Sequence, residues 1–71
     1  MIPPIQQDIL RKLANLCELS PEIRFGQLVA HLGFLAEDAG ERGLGDIDDE
    51  ALLQVIEKHA VELAQRQAHV A

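Results

Sequence analysis

The sequence predicts an all-α domain of three helices that pairs into a helical homodimer, and three observations carry that expectation. Apolar residues recur at three- and four-residue intervals in three separate stretches. No stretch alternates as a half-buried strand would, and no Asn-Gly or Asp-Gly pair marks a hairpin. Hydrophobic residues make up 48% of a chain of only 71 residues. A chain that short buries only about 60% of the surface its unfolded form exposes, so part of this apolar content is expected to be covered by a second subunit.

The first helix is expected over residues 4–19. Ile5, Ile9, Leu13 and Leu16 form one face, which Leu10 and Cys17 widen. Pro4 suits the first turn, where its fixed φ is helical and its missing N–H has no intrahelical partner to lose. The second helix is expected over residues 21–39, with Ser20 as N-cap, Pro21 at the first helical position and Glu22 facing the positive end of the dipole. Phe25, Leu28, Val29, Leu32, Leu35 and Ala36 supply its stripe, and Gly40 is the expected C′ residue. Gly26 and Gly33 fall inside this helix. Each costs about 1 kcal/mol relative to alanine, so at least one is expected where another helix packs closely.

Residues 40–47 form a glycine-rich loop. The third helix is expected over residues 49–67, with Asp48 as N-cap, Asp49 and Glu50 in the first turn, and Ile47 and Leu52 at the spacing of a hydrophobic staple. Leu52, Ile56, His59, Ala60 and Leu63 form its inner stripe, and fraying is expected between Arg66 and Val70. The whole chain, residues 1–71, then reads as one helical domain. Leu13, Leu16, Phe25, Leu28, Leu32, Leu52, Ile56 and Leu63 are expected among its most buried residues.

Six Lys and Arg against twelve Asp and Glu give a net charge of −6. A phosphate backbone is repelled by such a surface, and the one adjacent basic pair, Arg11-Lys12, has no aromatic beside it to stack on a base. Nucleic acid is therefore not an expected partner. No apolar run approaches the roughly 18 residues of a membrane span, so a membrane is not expected either. With a single cysteine, Cys17, no internal disulfide can form, and a cytoplasmic location is expected.

The acidic cluster Asp46-Ile47-Asp48-Asp49-Glu50 invites comparison with a calcium loop, because a loop starting at Asp46 places Glu57 at its twelfth position. Its sixth position, which must turn sharply on glycine, is Ala51. Helix capping accounts for the cluster better. His31, His59 and His69 lack partners at zinc spacing. The glycines at 40, 43 and 45 lack the strand and lysine of a phosphate loop. No catalytic residue, cofactor site or metal site is expected from these patterns.

The segments Pro21-Glu22-Ile23-Arg24-Phe25-Gly26-Gln27-Leu28 and Asp48-Asp49-Glu50-Ala51-Leu52-Leu53 resemble those of a set of small uncharacterised bacterial helical proteins. These share a Pro-x-x-Arg-x-Gly-Gln-Leu opening of one helix and an acidic Asp/Glu-Asp-Glu-x-Leu-Leu opening of the next. The resemblance covers roughly residues 1 to 66 and implies no activity, since no function is known for them. Where such proteins often carry an aromatic before the acidic cluster, this chain has Leu44-Gly45-Asp46-Ile47.

The expected function is that of a non-enzymatic protein–protein interaction module, a homodimer that presents its acidic loop region to a partner protein. Arg24, Gly26, Gln27, Asp48, Asp49 and Glu50 are the residues singled out for structural or interaction roles. Arg24, expected in a first helical turn where a positive charge is mildly unfavourable, is the candidate to bind one of the three carboxylates bidentately and latch the loop. The alternative is a small metal- or ligand-binding protein using the acidic loop with His59 and Glu62. An enzyme is not expected, because so small a domain rarely encloses a pocket of about 300 Å³.

Overall fold

The computed structural model describes the backbone of residues 1–69 and the side chains of residues 1–66. Within them the chain forms three helices, α1 (Pro4–Leu19), α2 (Phe25–Asp38) and α3 (Asp49–His69), and no strand. The all-α expectation holds. The side chain of His69 and the expected fraying toward Val70 lie outside the described residues.

Pro4 opens α1, with the Pro3 carbonyl accepting from the amides of Gln6 and Gln7. The helix stops at Leu19 because Ser20 precedes a proline, and the Pro21 ring disfavours α geometry in the residue before it. Ser20 takes φ −137° and ψ 65° and donates its N–H to the Leu16 carbonyl. It is the C-cap of α1 and is buried. The expected role of Ser20 as N-cap of the second helix is therefore corrected. Its carbonyl accepts from Ile23 N at 3.2 Å, which places Pro21 at the second position of a tight turn, a site that suits its fixed φ equally well. The second helix consequently begins four residues later than expected, with Arg24 as its extended N-cap.

The end of α2 follows the sequence closely. Gly40, at φ 83°, donates to the Glu37 carbonyl and Glu41 to the Ala36 carbonyl, the paired bonds of a Schellman motif that only a left-handed residue completes. A single turn follows, in which the amides of Asp46 and Ile47 both donate to the Gly43 carbonyl. Asp48 then opens α3, its carbonyl accepting from Leu52 N at 2.9 Å.

Helices α1 and α3 run side by side in the same direction. Near their starts Gln6 Nε2 donates to Asp49 Oδ2 at 3.3 Å, and further along Lys12, Asn15 and Leu19 line one shallow groove with Glu57, Ala60 and Ala64. Helix α2 is the crossover that makes this parallel arrangement possible. α3 packs chiefly on α1 and more lightly on α2.

The core between them is small: Leu16, Leu28, Leu32, Ala36, Val55, Ile56 and Ala60 are buried, and only Leu16 and Ile56 are large side chains with essentially no exposure. Of the expected core, Leu13, Leu52 and Leu63 are half-buried against it. Phe25 is a correction, being 57% exposed. It shares the helical side of Leu28, Leu32 and Ala36 but stands in the first turn of α2, where no neighbouring helix covers it.

Candidate functional site

The residues able to contact a ligand or partner fall into three places: the acidic end shared by α1 and α3, the cleft between α2 and α3, and the outer face of α2.

At the acidic end, Glu41, Asp48, Asp49 and Glu50 line one open groove with Ile5, Ala51 and Gln54. No lysine or arginine lines it. Three of the carboxylates belong to the N-cap and first turn of α3, where the unpaired amides and the helix dipole favour negative charge. That local stabilisation explains the cluster without a ligand.

Arg24 is not brought to this groove. Among the described residues the only ion pair is Arg11 with Asp8, one turn apart on the surface of α1. The expected latch fails on distance, since Arg24 stands at the start of α2 whereas the acidic loop follows its end. A helix of 14 residues spans about 21 Å, further than an arginine reaches. Gln27 instead acts locally, its Oε1 accepting from Arg24 N at 3.3 Å, half of a capping box at the opening of α2. Gly26 faces open space. A Cβ on Gly33 meets only the Leu44 side chain, at 3.6 Å. No helix packs closely against either glycine among the described residues, and the expected helix–helix approach is corrected to a contact between Gly33 and a loop leucine.

The cleft between α2 and α3 has a volume of about 220 Å³ and is lined by Leu35 and Asp38 of α2, its C-cap Ala39, and Val55, Lys58, His59 and Glu62 of α3. His59, on the inner stripe of α3, is only 6% exposed. Its Nδ1 is buried without a hydrogen-bond partner, and its ring meets that of His31 edge-on with centroids 4.9 Å apart. Burial, followed by the neighbouring His31, holds the His59 pKa below the usual histidine value; Glu62 opposes this shift and Arg66 adds to it. The sequence put His59 on an inner stripe but carried no signal for His31 as its neighbour, because His31 lies on an exposed position of α2.

Among the described residues no three His, Cys, Asp or Glu side chains stand close enough to hold a metal ion. His59 and the acidic opening of α3 also do not converge, since ten residues of helix separate His59 from Asp49, about 15 Å along the axis.

The outer face of α2 carries one large apolar side chain among the exposed polar residues Gln27, His31, Glu37 and Asp38. Phe34 is 65% exposed and lies on the side opposite Leu28, Leu32 and Ala36, beside Ala30 and the exposed His31. Phe25, on the opposite side of α2 in its first turn, and Ile23, just before the helix, are also exposed. No described helix is long and apolar enough to cross a membrane. No protein family, curated protein or solved structure matches the chain.

Proposed function

We propose that the chain is a non-enzymatic interaction module that works as a homodimer, joined through the outer face of α2, with its acidic end left open to a partner protein in the cytoplasm. The observation that carries this reading is the exposure of large apolar side chains on a small domain: Phe34, Phe25, Leu10 and Val61 are each more than half exposed.

The chemistry of the exposed residues favours α2 as the face that is covered. Aromatic side chains supply large contact area at low entropic cost, and they concentrate at interface centres. Phe34 is the aromatic side chain on this face and is 65% exposed. The four carboxylates at the other end suit a basic partner surface, where they raise association rate and specificity more than affinity.

The test is size-exclusion chromatography with light scattering across micromolar concentrations, on the parent and on Phe34→Glu. The parent is expected as a dimer, and Phe34→Glu as a folded monomer with an unchanged helical spectrum. A parent that stays monomeric at every micromolar concentration removes the dimer. A Phe34→Glu variant that remains dimeric moves the interface off this face of α2.

A further inference from the structure

We propose that the His31–His59 pair is an acid-sensitive latch that holds α2 on α3 and releases it when His59 takes up a proton. Four features of the geometry support this. The two rings touch edge-on across the interface between the helices. His59 is almost fully buried and its Nδ1 has no acceptor, so a protonated ring there places an unpaired charge and an unpaired donor in a poorly hydrated position. The exposed His31 ring, 4.9 Å from that of His59, further disfavours a positive charge on His59. The packing between α2 and α3 is the lighter of the two packings that α3 makes, so the structure yields there before it yields at α1.

The other charged groups around His59 do not offset the burial. From α2, Asp38 lines the same cleft and is exposed. From α3, Glu62 favours the proton while Lys58 and Arg66 carry like charge. No titratable group of α1 lines the cleft. Because the folded pKa lies below the ordinary histidine value of about 6.5, the released state binds the proton first. The latch is fully closed above that value and weakens as pH falls through it toward the folded pKa.

Hydrogen exchange followed residue by residue on the full chain tests this between pH 7.5 and 5.5, a window above the range where most carboxylates titrate. Protection factors for amides of α2, from Leu28 to Ala36, are expected to fall by up to about tenfold per pH unit below 6.5, the limit for one proton. Those at the interface of α1 and α3 should change far less. His59→Leu, which keeps an apolar filling and removes the titrating group, should abolish the pH dependence in α2.

An equal loss of protection in all three helices overturns the proposal, and so does a His59→Leu protein that keeps the parental pH dependence. Ring-proton titration of the parent needs no variant and decides the matter if His59→Leu does not fold. A His59 midpoint below 6.5 that rises in His31→Gln is the expected result, and a midpoint at or above 6.5 overturns it.

Discussion

Two substitutions one and a half turns apart on α3 measure how much of this domain's stability rests on its small core. Ile56 is 1% exposed and Val61 is 55% exposed, although both are β-branched aliphatic side chains of similar helix propensity. Ile56→Ala removes three buried carbon groups, about 2.4 kcal/mol at roughly 0.8 each from transfer alone. A cavity that does not collapse raises the total toward 5 kcal/mol.

Against a total stability of about 4–10 kcal/mol for a domain of this length, that loss consumes a quarter to all of the margin. Val61→Ala is expected within about 0.5 kcal/mol of the parent, the usual bound for a surface site. Urea denaturation followed by circular dichroism at fixed protein concentration reads both. Ile56→Ala should lower the midpoint strongly without changing the slope, and in thermal melts should lose at least about 10 °C, at 4–8 °C per kcal/mol. An Ile56→Ala protein melting within 2 °C of the parent, or no less stable than Val61→Ala, refutes the placement of α3 against the core.

Two further outcomes are expected. Gly33→Ala adds a Cβ at ordinary contact distance from Leu44 and gains helix propensity, so it should stabilise by up to about 1 kcal/mol, whereas Gly40→Ala forces a φ of 83° on a side chain and should destabilise by about 1 kcal/mol or more; thermal melts of the two compare them directly, and a destabilised Gly33→Ala refutes the strain-free contact with Leu44 at that site. Arg24→Lys and Asp49→Asn should have additive effects, each within about 0.5 kcal/mol, because their side chains do not meet; a double-mutant cycle with a larger coupling energy means that the start of α3 reaches the start of α2.

Periodicity located three helices and the acidic opening of α3, because capping and dipole effects act within a single turn and are written in adjacent residues. The same was true of the Schellman end at Gly40. Ser20-Pro21 was ambiguous, since proline fits both a first helical turn and the second position of a tight turn, and the carbonyl of Ser20 engaging Ile23 decided for the turn. Phe25 shows a different limit. Spacing tells on which side of a helix a residue lies, but not how far along that side a neighbour extends. The pairing of Arg24 with the acidic residues was chemically reasonable and geometrically excluded, because charge in a sequence carries no information about which helix ends meet. The contact between His31 and His59 depends on how α2 is placed on α3, a tertiary quantity with no local signature, as does the seating of Leu44 over Gly33.

The parallel course of α1 and α3 bears on how quickly the chain reaches its native state. Its largest interface joins segments separated by everything from Ser20 to Asp48, so the connecting chain must be brought to closure before that contact contributes any free energy. Helical proteins that fold in microseconds do so largely through contacts between neighbouring elements. Here the sequence-adjacent pairs, α1 with α2 and α2 with α3, make the lighter contacts, and the chain is expected to fold more slowly than its size and helix content alone suggest. The turn between Gly43 and Ile47 and the Gly40 motif before it shorten the conformational search by fixing the direction in which α3 leaves α2. Substitutions there should slow refolding more than their small equilibrium effect implies if that turn forms before the two long helices meet.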